Sequence, residues 1–343
     1  MIHQRNNFFH GESLKLHSGK SLKEFKLVYD TYGKLNEAKD NAILVFHSFS
    51  GSHHASGQLP EDKEVGWWND FIGPEKVLNT NKYFVICVNN IGSCYGSTGP
   101  LSNIHGSENK YLESFPDIHV VDWVTTQSIL LKSLGIHLIK LMIGSSLGGM
   151  QVLQFVSQNQ FHIEKSVIIG ATPKPKIRNL LMNYIQREML ESGGNNSLAH
   201  ARMFSHLFYI SNNFLKNQFD YRKQDKKSKI NDRVKYEFEN YFSYQANKFL
   251  KRFNKHSYIL MTKAMDSFFF EEALYKAIKS NLLLISFEND ELYSYDDMSK
   301  FQTELINNDV KSTHEHLDGS RGHDSFLKLT PDFEKALNNF INN

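Results

Sequence analysis

Short, nearly unbroken apolar runs recur along the chain, and each ends in a polar or glycine-containing segment. The runs are 42–46, 83–88, 138–143, 166–170 and 282–287, with a weaker one at 310–317. Such runs are typical of strands buried on both faces, as in a parallel sheet. The alternating segment Phe25–Tyr32 predicts a half-exposed strand, and the helical spacing of 120–134, which stops before Gly135, predicts a helix. Strands that alternate with helices indicate an α/β fold, with a mostly parallel, doubly wound sheet covered by helices on both faces.

This alternation stops in the middle of the chain. Residues 174–279 show helical spacing and many aromatic, Lys, Arg and Asn residues, but no convincing buried strand. We therefore predict a core domain formed by residues 1–173 and 280–343, interrupted by a helical lid at 174–279. The basic segment 222–229 in the lid favours a solvated surface loop, and contact with a polyphosphate ligand is the less favoured alternative.

Composition narrows the function classes. The chain has 343 residues, enough for a large core, and its formal net charge of +2 gives no reason to expect nucleic acid or a membrane surface as a partner. Cys87 and Cys94 are expected to be free thiols in a reducing compartment. Residues 1–12 lack the apolar core of a signal peptide, and no run reaches the roughly 18 apolar residues of a membrane-spanning helix. We therefore expect a cytoplasmic protein.

The segment Gly144-Ser145-Ser146-Leu147-Gly148 carries the strongest chemical signal. It follows a predicted strand and precedes a predicted helix, which is the context of a nucleophile elbow. Glycines on both sides leave space for a sharp turn between closely packed elements. Ser146 would then lie at a helix N-terminus, where backbone amides and the helix dipole stabilise negative charge. We predict that Ser146 is a catalytic nucleophile, and a Ser- and Gly-rich loop without function is the alternative.

A serine nucleophile needs a base and a group that orients the base. In a doubly wound sheet these come from loops after later strands, in the order Ser, then Asp or Glu, then His. Three acids, Glu288, Asp290 and Glu291, follow the apolar run at 282–287, and all three are candidates. His323 is the histidine candidate. It lies between the run at 310–317 and a last helix, which Thr330 as N-cap and Pro331 at the first helical position predict.

Acyl transfer also needs two backbone amides that stabilise an oxyanion. Leu147, directly after the predicted nucleophile, offers one of them. The other should come from the loop after an early strand, and Phe49, which follows the run at 42–46, is the best candidate.

The remaining histidines suggest no metal chemistry. His53 and His54 follow the predicted oxyanion loop and are expected to be loop residues rather than catalysts. His314 and His316 alternate on a predicted strand, but no third ligand with suitable spacing accompanies them. We therefore predict no metal site and no bound cofactor.

Longer blocks of sequence resemble one family. The blocks are 29–36 (YDTYGKLN), 67–74 (WWNDFIGP), 96–100 (GSTGP), 144–151 (GSSLGGMQ), 183–187 (NYIQR), 244–258 in the predicted lid, 290–293 (DELY) and 322–327 (GHDSFL). On these blocks, which extend over nearly the whole chain, it resembles the homoserine O-acetyltransferases, which are acyltransferases of the α/β-hydrolase fold. It differs from the usual elbow Gly-Gly-Ser-Met-Gly-Gly at Ser145 and Leu147. It also differs from the usual loop His-Ala-Leu-Thr-Gly, and its Phe49 is expected to narrow the acyl pocket.

The resemblance implies a triad of Ser146, Asp290 and His323, and so selects one of the three acids. It also implies that Arg187 binds the α-carboxylate of the acceptor and that Asp324 binds its α-ammonium group. The implied reaction is ping-pong transfer of an acetyl group from the co-substrate acetyl-CoA to the hydroxyl of L-homoserine, in methionine biosynthesis. A homodimer formed through the lid helices is implied as well. Succinyl transfer, serine as acceptor, a serine esterase and a non-catalytic binding module are the alternatives.

Overall fold

An eight-stranded, mostly parallel sheet forms the centre of the structure, a computed structural model that describes residues 1–224 and 235–343. The strands are β1 (His3–His10), β2 (Phe25–Tyr32), β3 (Ala42–Phe46), β4 (Phe84–Val88), β5 (Leu138–Ser145), β6 (His162–Ile169), β7 (Asn281–Phe287) and β8 (Ser312–Leu317). They lie in the order β1-β2-β4-β3-β5-β6-β7-β8. β2 pairs antiparallel with both β1 and β4, and every later pairing in that order is parallel.

Helices connect and cover these strands. They are α1 (Val120–Ser133), α2 (Leu147–Val156), α3 (Ile177–Glu191), α4 (Ser197–Tyr209), α5 (Asn212–Phe219), α6 (Glu237–Leu250), α7 (Lys255–Asp266), α8 (Tyr295–Asn307) and α9 (Pro331–Asn342). Short 3-10 helices span Leu112–Ser114, Glu272–Ala277 and Gly322–Leu327. The last helix begins as its sequence predicts, because the Thr330 hydroxyl accepts a hydrogen bond from the N–H of Phe333 and Pro331 occupies the first turn.

Both faces of the sheet are covered, which explains why β3 and β4 are apolar throughout. Along β3, Leu44 and Phe46 belong to the hydrophobic cluster that includes α1 and α2. Ile43 and Val45 point to the opposite face and belong to a second cluster, with Trp68. Successive side chains of a strand alternate between its two faces. A strand with both faces buried therefore needs apolar residues at every position.

The structure agrees with the predicted strands of the central sheet and adds one strand to that sheet; two further sheets are formed by pairs of two-residue strands, Leu14–Lys15 with Ser21–Leu22 and Ile72–Gly73 with Leu78–Asn79. β3, β4, β5, β7 and β8 coincide with the apolar runs to within two residues, whereas β6 begins four residues before its run. The sequence pattern does not predict β1, because this edge strand is largely polar and only half-buried. β2 differs from the expectation of a half-exposed strand, since all of its residues except Lys26 are buried. The reason is its position between β1 and β4, with hydrophobic clusters on the sheet faces.

Helices α3 to α7 follow β6 and precede β7, in the interval where the sequence predicts a lid. Several of their apolar side chains, among them Met182, Phe249 and Tyr258, belong to the same hydrophobic cluster as residues of α1 and α2. The apolar interior of these helices is therefore continuous with that of the core. The division into a core domain and a lid domain stays a prediction.

Three expectations from composition can be placed on the structure. Cys87 and Cys94 are buried free thiols. Arg222, at the start of the basic segment, lies with its Nε 2.7 Å from a carboxylate oxygen of Glu237, whereas residues 225–229 of that segment lie outside the described residues. Within the two described ranges, no helix has both the length and the apolar character that crossing a membrane requires.

Candidate active site

Ser146 occupies a sharp turn between β5 and α2. Its φ of 54° and ψ of −119° lie in a region that residues other than glycine rarely adopt. A Cβ on Gly144 would lie 2.4 Å from backbone atoms of Gly148, and a Cβ on Gly148 would lie 2.3 Å from the carbonyl oxygen of Phe46. Glycine is therefore required at both positions, and the turn has the backbone geometry of a nucleophile elbow.

Backbone hydrogen bonds hold this strained turn in place. The N–H of Ser146 donates to the carbonyl oxygen of Ile169 at 2.8 Å, and the N–H of Met150 donates to the carbonyl oxygen of Ser146 at 3.2 Å. Ser146 is 7% exposed and lines a cavity. Its side chain is therefore fixed in position on a surface that a ligand can reach.

His323 and Asp290, from the segments after β8 and β7, form a buried pair beside this cavity. Nδ1 of His323 lies 2.8 Å from Oδ2 of Asp290, whose Oδ1 accepts hydrogen bonds from the N–H groups of Leu292 and Tyr293 at 2.8 and 3.0 Å. An ionised carboxylate only accepts hydrogen bonds, so Nδ1 carries the proton and Nε2 keeps its lone pair. Among the described residues, Nε2 has no hydrogen-bond partner, which leaves it free to act as a base.

Two opposing effects set the basicity of the His323 ring. Burial lowers the pKa of His323, but the charge of the Asp290 carboxylate and its hydrogen bond outweigh burial, and the pKa lies above its ordinary value. Asp290 therefore stabilises the imidazolium that forms when His323 accepts a proton. This is the relation between a general base and the acid that orients it.

The backbone amides of Phe49 and Leu147 are both free to bind an oxyanion. Neither N–H donates a hydrogen bond to another described residue. Leu147 is the first residue of α2, so its N–H lacks a partner within the helix. Phe49 lines the cavity, and its ring packs against Phe253 and Tyr258 with ring centroids 5.6 and 4.8 Å apart. The ring thus forms part of an apolar wall, and the amide is the group left for a ligand.

The cavity has a volume of about 250 Å³ and lies between the sheet and the inserted helices. The core contributes residues 48–52, Ser146 and His323, while α3, α4 and α6 contribute the facing side. A larger groove, of about 840 Å³, lies among α4, α5 and α6, but neither Ser146 nor His323 lines it. We take the smaller cavity as the candidate active site, because the reactive groups converge there.

Arg187, the residue that the resemblance assigns to the acceptor carboxylate, faces another partner. Its Nη1 lies 2.7 Å from Oδ2 of Asp266, whose Oδ1 accepts a hydrogen bond from Asn183 at 2.7 Å. Arg187 is not among the residues that line the cavity. Its charge is therefore already neutralised by a protein carboxylate, and the assigned role stays a prediction of the resemblance.

Arg202, which no sequence motif marks, lies in the cavity wall. It is 7% exposed, and its Nε and Nη1 are buried without a hydrogen-bond partner among the described residues. Its guanidinium carbon lies 5.3 Å from the ring centre of Tyr209 and 5.0 Å from that of Phe249. Helical spacing could have identified Arg202 from the sequence. It precedes the buried residues Ser205 and His206 by three and four positions, so it lies on the same, inner face of α4.

Asp324 supplies an opposite charge to the same cavity. Oδ2 of Asp324 lies 4.0 Å from Nδ1 of His206, whose Nε2 lies 3.2 Å from the Tyr241 hydroxyl. Burial raises the pKa of Asp324, while the charge of Arg202 opposes this effect. Burial and the Arg202 charge lower the pKa of His206 to about 3, so this ring is neutral at physiological pH. The cavity therefore presents the Asp324 carboxylate together with several cations, which are Arg202, Lys248, Arg252 and Arg321.

Asp30 is the centre of a polar cluster that offers ligand atoms for a metal. The ligating atoms of His3, Asp30 and His54 lie within 4.8 Å of one another. Asp30 already accepts hydrogen bonds from His3 and His54 at 3.0 and 3.3 Å, and both of its oxygens accept from Arg5 at 2.9 and 3.0 Å. Nε2 of His53 lies 3.8 Å from the same carboxylate. These contacts account for the buried carboxylate as an ion-pair network.

His314 and His316 share one small partner. Nε2 of His314 and Nδ1 of His316 lie 2.7 and 2.9 Å from the Ser286 hydroxyl. Both rings also contact Tyr295, with ring centroids 5.3 and 4.9 Å apart. A hydrogen bond to the neighbouring strand therefore explains this pair.

Known proteins share this architecture and sequence. The family model of the alpha/beta hydrolase fold matches residues 41–328. A homoserine O-succinyltransferase from Marinomonas sp. (strain MWYL1) is 35% identical over 352 residues, covering 96% of this chain and 91% of the relative. The α/β-hydrolase fold expected from the sequence is confirmed.

Solved structures give the same fold. The homoserine O-acetyltransferase from Bacillus anthracis has a TM-score of 0.89 at 23% identity, covering 100% of this chain and 98% of that one. Esterase E22 has a TM-score of 0.90 at 24% identity, covering 99% of this chain and 100% of that one. A transferase and an esterase thus match equally well, so these likenesses establish the fold and leave the reaction to the site.

Proposed function

We propose that this chain, which belongs to the homoserine O-acyltransferases of the α/β-hydrolase fold, transfers an acetyl group from acetyl-CoA to the hydroxyl of L-homoserine. One observation carries the proposal: Ser146 and the Asp290-oriented His323 share a cavity with two opposite charges, Arg202 and Asp324. A nucleophile, a base and an acid suit acyl transfer. The opposite charges suit an acceptor that is a zwitterion, whereas an esterase has no need of them.

In the first half-reaction, the enzyme becomes acylated. Nε2 of His323 takes the hydroxyl proton of Ser146, and the serine oxygen attacks the thioester carbonyl of the donor. The N–H groups of Leu147 and Phe49 stabilise the negative charge that develops on the carbonyl oxygen, and one such donor is typically worth about 3 kcal/mol of barrier. The tetrahedral intermediate then collapses, His323 returns the proton to the thiolate of CoA, and an acyl-serine ester remains.

In the second half-reaction, the acyl group moves to the acceptor. Arg202 binds the α-carboxylate of homoserine and Asp324 binds its α-ammonium group. His323 then takes the proton of the acceptor hydroxyl, whose oxygen attacks the ester carbonyl. When the tetrahedral intermediate collapses, the bond to Ser146 breaks and His323 returns the proton to the Ser146 oxygen. The helices that form the facing side of the cavity limit the access of water, which would otherwise hydrolyse the ester.

The acetyl donor is supported by the apolar part of the cavity. Phe49 and Leu292 are buried residues that line it, at 6% and 3% exposure. A small apolar acyl group is compatible with such a surface, whereas a second carboxylate would need a charged or hydrogen-bonding partner.

A succinyl donor is the second candidate. Arg252 also lines the cavity and provides a cation besides Arg202. A succinyl group ends in a carboxylate, and one arginine for each carboxylate would accommodate both substrates. The relative from Marinomonas sp. is named a succinyltransferase, which gives this alternative independent weight.

A mass measurement of the acyl-enzyme separates the two donors. The protein is incubated with equal concentrations of acetyl-CoA and succinyl-CoA, without acceptor, and digested after an acid quench. We expect an acetyl group on the peptide that contains Ser146, and no adduct in Ser146→Ala. A succinyl group that is lost in Arg252→Gln would establish the second candidate instead. No adduct from either donor would contradict acyl transfer.

A further inference from the structure

The two proposed oxyanion donors are held by different means. In a trans peptide the C=O and the N–H point in opposite directions, so whatever holds the carbonyl of one residue also directs the N–H of the next. The N–H of Leu147 shares a peptide with the carbonyl of Ser146, which accepts a hydrogen bond from Met150 of α2. The N–H of Phe49 shares a peptide with the carbonyl of Ser48, which lies in a loop and has no such helical bond.

The carbonyl of Ser48 is held by the ring of His47. Nδ1 of His47 lies 2.8 Å from this oxygen, which also accepts the N–H of Gly51 at 2.9 Å. On the other side of the ring, Nε2 accepts the backbone N–H of Asn90 at 3.3 Å. A carbonyl needs a donor and an N–H needs an acceptor. The contacts therefore fix one tautomer, with the proton on Nδ1 and the lone pair on Nε2.

Burial keeps this ring neutral. His47 is fully buried, and burial lowers its pKa to about 4, although the hydrogen bond to Ser48 opposes the shift. An imidazolium would also direct a second N–H against the N–H of Asn90. At neutral pH the ring therefore stays in the single tautomer that donates to the Ser48 carbonyl.

A chain of buried amides braces the far side of the ring. Nε2 of Gln127 donates to Oδ1 of Asn90 at 2.8 Å and to Oε1 of Gln151 at 2.9 Å. All three side chains are at most 1% exposed. Gln151 belongs to α2, the helix that begins at Leu147. The loop that carries one oxyanion donor is thus tied, through His47, to the helix that carries the other.

We infer that His47 is a positioning residue whose Nδ1–H orients the Ser48–Phe49 peptide, so that the N–H of Phe49 is directed at the oxyanion formed on Ser146. The inference rests on the proposed function only in taking Ser146 as the nucleophile. It does not depend on which acyl donor or acceptor is natural.

Two substitutions of His47 separate its ring nitrogens. The amide nitrogen of Asn lies near the position of Nδ1, so His47→Asn keeps a donor for the Ser48 carbonyl. The amide of Gln lies near Nε2, so His47→Gln keeps contact with Asn90 and loses that donor. The assay is the burst of 4-nitrophenolate from 4-nitrophenyl acetate, which requires Ser146 and the oxyanion hole but neither CoA nor homoserine.

We expect the burst in His47→Gln to be about 10- to 100-fold slower than in the wild type, which is less than the full loss of an oxyanion donor. The concentration of ester at half-maximal rate should not change, and His47→Asn should recover most of the rate. Gln127→Met, which keeps the volume and removes the brace, should slow the burst less than His47→Gln. Gln127→Met still tests the inference if His47→Gln does not fold.

The inference would be overturned by any of three results: an equally slowed burst in both His47 variants, a wild-type burst in His47→Gln, or an unchanged burst in Gln127→Met. A second measurement is the affinity for a methylboronic acid, whose adduct with Ser146 places an oxygen in the oxyanion hole. This affinity should fall in His47→Gln by the same factor as the rate, and an unchanged affinity would overturn the inference. If the wild type reacts with the ester but not with acyl-CoA, the proposed function fails while this test still decides the role of His47.

Discussion

The two sides of the cavity are built in different ways. On the core side, which is formed by the sheet and the loops that follow its strands, backbone geometry places the reactive groups. The elbow directs Ser146 into the cavity, and two backbone N–H groups donate to the carboxylate of Asp290. On the facing side, which we call the lid side because helices α3, α4 and α6 form it, Arg202 lies within α4 and is held by packing against the rings of Tyr209 and Phe249. Backbone geometry suits chemistry that tolerates little displacement, whereas side chains on packed helices can be exchanged to suit a substrate. We therefore assign acylation to the core side and recognition of the acceptor carboxylate to the lid side.

The largest effect is expected from the nucleophile. Ser146→Ala should reduce turnover by about 10⁶-fold, as the loss of a triad nucleophile typically does. The melting temperature should change little, because only one hydroxyl is removed. Steady-state release of CoA measures the rate and calorimetry the stability. Activity of more than a few per cent in the variant would remove Ser146 from the mechanism.

The next largest effect is expected from the acid of the core side. Asp290→Asn should reduce turnover by roughly 10⁴-fold, because the amide no longer fixes the tautomer of His323 or stabilises its imidazolium. Glu291→Gln is the matched control, since Glu291 is exposed and pairs with Arg178 at 3.0 Å. Glu288→Gln provides a second control. A larger loss in either control than in Asp290→Asn would show that the acid is wrongly assigned.

A smaller and more selective effect is expected on the lid side. Arg202→Gln should lower kcat/KM for homoserine roughly 30- to 150-fold, because the loss of a charge-assisted contact costs about 2–3 kcal/mol. Arg187→Gln should leave kcat/KM for homoserine nearly unchanged, because Arg187 pairs with Asp266 outside the cavity. The reverse result, with Arg187 governing homoserine, would restore the role that the sequence resemblance implies.

The smallest effect concerns the pH dependence of acylation. His323 acts as a base only when neutral, so kcat/KM for the donor should rise with pH through the pKa of His323. The Asp290 carboxylate raises this pKa above the ordinary value, against burial. Residual activity in Asp290→Asn should therefore rise at lower pH than in the wild type. A pH–rate profile of both proteins measures this shift, and an unchanged or higher midpoint in the variant would contradict the role of Asp290.

The sequence signals for the core side are local, and the structure places Ser146 and His323 in one cavity. The turn at Ser146 is defined by the strand before it, the helix after it and two glycines, without any distant contact. The order Ser, then Asp or Glu, then His places the histidine after the last strand, where His323 lies. The choice of Asp290 among three neighbouring acids came from the family resemblance. The structure now gives a physical reason, since Asp290 is the acid that hydrogen-bonds to His323.

The lid side could not be predicted in this way. Arg202 and Arg187 are both arginines on predicted helices, and only tertiary packing shows that one lines the cavity while the other meets Asp266. The role of His47 was equally hidden, because it depends on a backbone N–H from the loop after β4. The sequence did not predict the edge strand β1 for a related reason, since its pairing with β2, rather than an apolar pattern, determines its conformation.

One measurement tests the division between core and lid most directly. Stopped-flow release of CoA is recorded for the wild type, Ser146→Ala and Arg202→Gln, first without acceptor and then with homoserine. Without acceptor, we predict a full burst of CoA in the wild type and in Arg202→Gln, and no burst in Ser146→Ala. With homoserine, we predict that both variants turn over more slowly than the wild type. A lost burst in Arg202→Gln, or a burst that survives in Ser146→Ala, would contradict the separation of acylation from acceptor recognition.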